Sequence, residues 1–317
     1  MWCPRLVPCV DQTVLADTDY KEIEILWSSD DTHSSCVNFV MVSSVTCFHV
    51  GRVGYEAAWQ LQKSIVRVLK SSNNNAFPHT ILLLEHNPVY TIGVRSKDPA
   101  NDYSEVGIAR LKRLGADFVK TDRGGLITYH GPGQLVAYPI INLRCRTLTG
   151  SGLRWYVGAL EQAGVALCNN YFGLQAGSGG RGDIGVWLSA SKKVMAVGVH
   201  KSESVTYHGI AINCTNEPLP WLRAVVPCGL VGRDVTSLSE ACNKEIPVDT
   251  VVPLLEECLI NSLFGPYNIR NKELRISYNH EFVNDWTDTA LGKSTPIRLW
   301  PEVVDLIIAE VQSRIDR

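Results

Sequence analysis

The 317-residue chain has no Cys-x-x-Cys pair among its ten cysteines, no apolar run of bilayer length and a formal net charge of only −2. A transmembrane helix needs about 18 or more consecutive apolar residues. The nearest run, Val37 to Val50, is short and broken by Asn38, Ser43, Ser44 and Thr46, so no membrane span is expected and the chain is read as soluble. With 30 basic and 32 acidic side chains there is no global field for nucleic acid, which is not expected as a partner. The cysteines, at 3, 9, 36, 47, 145, 168, 214, 228, 242 and 258, lack metal-ligand spacing, which disfavours structural zinc and thioredoxin-type chemistry. No secretory signal opens the chain and its length needs no staples, so the thiols are expected to be reduced, intracellular and mostly small core residues.

What is present is a globular composition, 45% apolar and 20% charged, sufficient for one large domain or two small ones. The charge is unevenly placed. Up to residue 36, seven acids (Asp11, Asp17, Asp19, Glu22, Glu24, Asp30, Asp31) stand against Arg5 and Lys21, giving −5 and leaving +3 for the rest. That is the reverse of a mitochondrial presequence. Residues 1–47 are read as an acidic, flexible extension, 48–265 as the catalytic domain and 266–317 as a C-terminal extension of unassigned role.

Apolar residues at three- and four-residue steps from Tyr55 to Leu69 predict a helix. Strands are expected over Thr80–Leu84, Val89–Gly93, Leu126–Tyr129, Leu135–Ile141, Gly185–Leu188, Val194–Val199 and Val205–Asn213. Further helices are expected over Ile108–Leu114 and Gly152–Asn169, with a last one from near Thr250 to the Gly265-Pro266 stop. Arg110, Lys112 and Arg113 read as a solvated face, with docking of an acidic carrier as the functional alternative. The pattern is an α/β (α+β) domain with a mixed, mostly antiparallel sheet flanked by helices.

Chemistry concentrates in a few segments. Arg123-Gly124-Gly125-Leu126-Ile127-Thr128-Tyr129-His130-Gly131-Pro132-Gly133 sets glycines among polar groups, so backbone amides can approach a ligand while Arg123 and His130 supply polar contacts. The bland alternative is a tight hairpin. The segment is not a Walker loop, since no Gly-Lys-Ser/Thr closes it, nor does it have dinucleotide spacing. Thr-Tyr-His-Gly recurs at 206–209, which allows two similar strand ends to meet at one site. Cys228, in Val-Val-Pro-Cys-Gly, is placed for an exposed nucleophile, while without a partner it reads as one more buried thiol. A free thiol is only ~3% ionised at pH 7, so catalysis requires a nearby cation or base. The candidates are Lys193, His130 and His208; the strand period turns Lys192 and Lys193 to opposite faces.

Five collinear motifs carry a resemblance: Leu84 to Gly93, Arg123 to Val136, Gly185-Val186-Trp187 with Lys193 to Val199, Thr206 to Asn213, and Pro227-Cys228-Gly229 followed by Val235-Thr236-Ser237-Leu238. Together they resemble the lipoyl (octanoyl) transferases of lipoate biosynthesis over roughly Phe48 to Phe264. The resemblance implies the biotin/lipoate ligase-like fold and octanoyl transfer from octanoyl-acyl carrier protein to a lysine of an apo lipoyl domain. It also implies a thioester on Cys228, Lys193 lowering that thiol's pKa, and no metal, nucleotide or other cofactor. The implied substrate contacts are Arg123, Gly124, Gly125, Leu126, Ile127, Thr128, Tyr129 and His130, then Ala196, Val197, Gly198, Gly209, Ile210 and Ala211. Implied acceptors are lipoyl domains of 2-oxoacid dehydrogenase complexes and the glycine cleavage H protein. The implied location is mitochondrial in a eukaryote and cytoplasmic in a bacterium.

His200-Lys201-Ser202-Glu203 stands where many relatives carry several arginines. For the acyl slot the candidates are Ile127, Val136, Val197 and Ile210. One CH₂ more or less changes affinity only about fourfold, so a choice of chain length needs a closed pocket end. Competing readings are an ATP-dependent lipoate or biotin-type ligase, a lipoyl amidotransferase, a non-catalytic acyl-binding module and a cysteine protease.

Overall fold

In the computed structural model of the chain, the residues described are 43–71, 79–97, 105–145, 148–180, 182–225, 233–265, 269–275 and 301–315. In chain order the elements are β1 (Ser43–Val53), α1 (Tyr55–Ser71), β2 (His79–His86), β3 (Val89–Ile92), α2 (Glu105–Arg113), β4 (Asp117–Lys120), β5 (Ile127–His130) and β6 (Gln134–Ile140). They continue with α3 (Gly152–Ala166), β7 (Gly177–Ser178), β8 (Val186–Trp187), β9 (Lys192–Ser202), β10 (Val205–Asn213), α4 (Pro218–Arg223) and β11 (Asp234–Val235). The last are α5 (Leu238–Cys242), α6 (Val248–Phe264), β12 (Ile269–Arg275) and α7 (Pro301–Ile315).

The main sheet runs β12-β1-β2-β6-β10-β9-β8-β7, with β11 paired to β9, and the expected mixed topology is present. β1 is parallel to both β2 and β12, whereas β2, β6, β10, β9, β8 and β7 alternate antiparallel. Two-sided burial explains why the central strands read as continuous apolar runs. Along β6, Leu135 and Ala137 enter a core beneath α3 and α6, while Val136, Tyr138 and Ile140 enter a second core beneath α1 and α7. The same two-residue period splits Ile81 and Leu83 from Leu82 and Leu84 in β2. A small sheet, β4-β3-β5, stands beside the main one.

The expected boundaries differ from the structure at both ends of the 48–265 span. β1 starts at Ser43, because Val45 and Cys47 alternate with Thr46 and Phe48 between the two faces of the sheet. α6 is not the last helix: it ends at Gly265, whose φ of 80° suits glycine, and is followed by β12 on the edge of β1 and by α7, which packs Ile307 and Val311 into the α1 core. Among the described residues no helix is long and apolar enough to cross a membrane.

His79 opens β2 fully buried, its ring 4.8 Å from that of Phe264, with no hydrogen-bond partner for either ring nitrogen. Burial pushes its pKa down to about 3. In the unfolded chain it takes up a proton near pH 6.5, so the folded state loses stability as pH falls from 6.5 towards 3, by about 2 kcal/mol at pH 5. His79→Leu is therefore expected to flatten the acid side of the stability profile. Urea unfolding at pH 7.5 and pH 5 measures it, and an equal loss in both proteins would sink the assignment.

Candidate active site

The site lies between the small sheet and the β9/β10/β6 part of the main sheet. Ala196, Gly198, Gly209 and Ala211 give that part of the large sheet a low, small-residue surface, and the 123–128 segment passes over it. One cavity between them is lined by Arg123, Gly125, Leu126, Ile127, Thr128, His130, Lys193, Ala196, Val197, Gly198, Gly209, Ile210 and Ala211, among the residues expected from sequence. All four acyl-slot candidates, including Val136, are in this lining.

Gly124 and Tyr129 are placed otherwise. Gly124 donates its amide to the Val199 carbonyl at 3.0 Å and accepts from Arg123 at 2.9 Å, so it straps the two sheets together and is committed as a donor. Tyr129 turns away with the strand period and stacks on Trp221, ring centroids 5.1 Å apart, in a third core. Cys228, with Pro227 and Gly229, lies outside the described residues.

Arg123 is buried and braced. Its Nε and Nη2 donate to Thr91 Oγ1 at 3.0 and 2.8 Å, and Nη2 also donates to the Thr91 carbonyl at 2.7 Å. Gly93 makes room for this: a Cβ there would lie 2.4 Å from the Gly125 carbonyl and 2.8 Å from Arg123 Nη1. Lys193 stands at the other end of the cavity. Its Nζ donates to the Ile184 carbonyl at 3.1 Å and lies 4.6 Å from the centre of the Trp187 ring, which Arg233 also approaches, at 4.8 Å. Gly185, at φ 135° and with Lys193 Cε 3.2 Å from where its Cβ would be, lets the lysine stem pass. Lys192, as the strand period required, takes another direction and pairs with Asp234 at 2.7 Å.

The Val235-Thr236-Ser237-Leu238 motif has a local explanation. β11 pairs in parallel with the start of β9, Val235 opposite Lys193, and the Thr236 amide donates to the Lys193 carbonyl at 2.9 Å. Ser237 then caps α5, accepting the Glu240 amide at 2.9 Å. On the other side Val225 is buried after α4. Val225 and Arg233, the described residues that flank 226–232, line a second cavity together with Lys193. A side-chain relay joins this region to the first cavity: His130 Nδ1 donates to Gln134 Oε1 at 2.7 Å, Gln134 to Asn213 Oδ1 at 2.8 Å, and Asn213 to the Thr236 carbonyl at 2.8 Å.

The two Thr-Tyr-His-Gly copies do meet. The Tyr55 ring is stacked between those of His130 and His208, at 6.0 and 6.5 Å. His208 Nε2 donates to Asp122 Oδ1 at 2.8 Å, and the Tyr207 hydroxyl donates to Oδ2 at 2.5 Å. Burial opposes the Asp122 charge, but these two bonds outweigh it and hold the carboxyl below the usual carboxylate range. Burial lowers His208 despite Asp122, lowers His130 well below its ordinary value and takes His86 to about 4, so the three imidazoles are neutral at neutral pH. His208 does not stand near Lys193 along the sheet, being paired with Val199, six residues on, and His130 lies in the small sheet.

Sequence reasoning missed Tyr55, Arg95 and Tyr138 in the lining and Asp122 behind His208. It expected mostly buried thiols. Of the described cysteines, 47, 145, 168, 214 and 258 are buried, Cys242 is half-buried and none is in a disulfide. Burial pushes the thiols of Cys168 and Cys214 up to about 12 and that of Cys258 up to about 11.

The mixed, mostly antiparallel sheet flanked by helices is a fold shared with lipoate-protein ligases. The chain aligns with lipoate-protein ligase A bound with ATP at a TM-score of 0.58, 15% identity, covering 76% of this chain and 93% of that one. It aligns with a bi-partite lipoate protein ligase of Thermoplasma acidophilum at 0.54, 15% identity, covering 77% and 91%. Residues 54–260 match the family model "Lipoyl protein ligase A/B catalytic domain", and the chain belongs to that family. Among its relatives, the mitochondrial octanoyl-acyl-carrier-protein:protein N-octanoyltransferase of Danio rerio is 43% identical over 218 residues, 69% of this chain and 92% of the relative. The octanoyltransferase of Nocardia farcinica is 35% identical over 274 residues, 85% and 98% respectively.

The contact of Gly93 with two backbone carbonyls, neither of which can swing aside, makes Gly93→Ala a sensitive variant. It is expected to lose about 1–3 kcal/mol, read as a lower urea midpoint at unchanged slope. An unchanged midpoint would show that the 123–125 segment yields freely.

Proposed function

We propose that this enzyme is an octanoyltransferase of protein lipoylation that carries the acyl group on Cys228. Relatives of that name cover the catalytic region at 35–43% identity. The Cys228 thiolate attacks the carbonyl of the octanoyl thioester on the carrier's phosphopantetheine. A new C–S bond forms and the carrier thiolate leaves. The neutral amine of an acceptor lysine then attacks the enzyme thioester, the C–S bond breaks, and the amine's proton passes to the departing Cys228 thiolate, leaving amide and thiol. The first step exchanges one thioester for another and the second ends in an amide, so no ATP is consumed. Donor and acceptor are read as acyl carrier protein and the lipoyl domains of 2-oxoacid dehydrogenases and the H protein. The location is read as mitochondrial, like that of the Danio rerio relative, if the source is a eukaryote.

The observation that carries this reading is the docking of Val235 and Thr236 against Lys193, with Val225 and Arg233 facing the same cavity. The described residues on either side of the Cys228 segment, Val225 and Arg233, thus line one cavity with Lys193, which also lines the acyl trough. A cation there favours thiolate: lowering a thiol pKa from about 8.5 to about 7 raises the ionised fraction at pH 7 roughly fifteenfold. The histidines, neutral and hydrogen-bonded at the buried end, are weaker partners for this role.

Incubation with octanoyl-acyl carrier protein, without ATP, is expected to yield an octanoyl adduct by intact mass on the wild type and none on Cys228→Ala. An adduct on Cys228→Ala would falsify the assignment. Lys193→Met is expected to slow adduct formation about tenfold or more at pH 7 and to move the alkaline rise of Cys228 alkylation to higher pH. An unshifted profile would remove Lys193 from thiolate activation. Acyl-adenylate formed from ATP and free octanoate would instead indicate a ligase.

A further inference from the structure

The cavity has one exposed and one buried end. Ile184, 39% exposed, lies with Gly182 and Lys193 at the first. Tyr55, His130, Tyr138 and His208, from 1% to 6% exposed, form the second. Along β9 the distance from Lys193 to Gly198, which is in register with Gly209 beside that buried wall, is five strand steps, about 16 Å. The seven carbon–carbon bonds of an octanoyl chain, at ~1.5 Å each, reach at most about 10 Å. With a lysine side chain and a thioester at the open end, an eight-carbon chain ends at the wall.

The wall is unusual for an acyl pocket because it is built of polar rings, and it is rigid for the same reason. His86 donates and accepts at its two nitrogens, 2.9 Å from the Val53 carbonyl and 2.7 Å from the Tyr138 hydroxyl. His130 is tied to Gln134 at 2.7 Å. His208 is held at three points: its amide donates to Gln62 Oε1 at 2.7 Å, Nε2 donates to Asp122 at 2.8 Å, and Nδ1 faces the Tyr55 hydroxyl at 3.5 Å. Its φ of 56° is rare for a side-chain-bearing residue within a strand. Such a conformation persists only where the surroundings over-determine it. An apolar wall of aliphatic side chains yields to one more methylene by a rotamer change; a ring stack tied by hydrogen bonds to Gln134, Asp122 and His86 yields only by breaking them.

We infer that the stacked rings of Tyr55, His208, His130 and Tyr138 are the stop that selects the length of the acyl chain, with Asp122 as a positioning residue acting through His208. The inference rests on the acyl transfer proposed above and names what limits its substrate.

The test measures the rate of Cys228 acylation by octanoyl-, decanoyl- and dodecanoyl-acyl carrier protein, using intact mass. Wild type is expected to fall steeply beyond eight carbons, with the dodecanoyl rate at least about tenfold below the octanoyl rate. Tyr55→Ala, and separately His208→Gly, which suits the left-handed φ, are expected to raise the dodecanoyl-to-octanoyl ratio at least about tenfold. Asp122→Ala is expected to broaden the profile, and Asp122→Asn, which keeps an acceptor oxygen for His208, to restore it. A thermal melt accompanies each variant, and the ratio of two donors on one protein is insensitive to the fraction folded. A wild type acylated equally by all three donors, or folded wall variants with the wild-type ratio, overturns the stop while leaving the transferase reading intact. Absence of any adduct on the wild type overturns the transferase reading instead.

Discussion

The site depends on one line of amide and imidazole hydrogen bonds, from His130 through Gln134 and Asn213 to the carbonyl of Thr236. Every link is buried, so each donor left without its acceptor would cost about 1–3 kcal/mol. The line crosses from the small sheet to β6, then to β10 and on to the end of β11, and so ties Gln134 to Asn213 and Asn213 to Thr236, residues far apart in the chain. Because Thr236 also holds the Lys193 backbone, the lysine, the Asp234 to Thr236 stretch and the buried end of the trough share a common frame.

Electrostatically the two ends of that frame are opposites. At the open end Lys193 and Arg233 approach the same indole ring, and Arg233 is balanced by Asp183 at 2.7 Å. At the buried end, burial keeps every imidazole neutral, and the Asp122 charge sits behind His208, partly in solvent. Positive charge therefore lies at the end where the thiolate is proposed and is withheld from where a hydrocarbon tail would lie. The half-buried thiol of Cys242 and the buried thiols of the core have no such setting.

Much of this was legible in the amino-acid order. The continuous apolar runs of β2, β6 and β10 and the helical spacing from Tyr55 to Leu69 mark the central strands and the first helix in the sequence, while the split of each strand between two cores comes from the structure. The glycine-containing loop and the Ala196 and Gly209 strands fall in one cavity as their motifs suggest. What was hidden depended on tertiary partners. Tyr55 reads as one more apolar position of a helix, although it is the ring between two histidines. Asp122 is an acid in a loop until His208 and Tyr207 are brought to it from another sheet. Gly124 stands in a loop whose amides could approach a ligand, yet its own amide is donated to the Val199 carbonyl. Two-residue β11 is too short for any periodicity, and β12 and α7 lie in a stretch without a recognised motif.

The placement of β12 bears on the order in which the protein can be made. β1, among the first described elements, is flanked on one side by β2 and on the other by a strand more than 200 residues later in the chain. Until residues 269–275 leave the ribosome, that flank of β1 is a bare row of amides and carbonyls, the feature through which sheets pair with foreign chains. Pairing so distant in sequence is slow to form. The growing chain thus carries that open edge from the making of β1 until β12, more than 200 residues later, arrives to seal it.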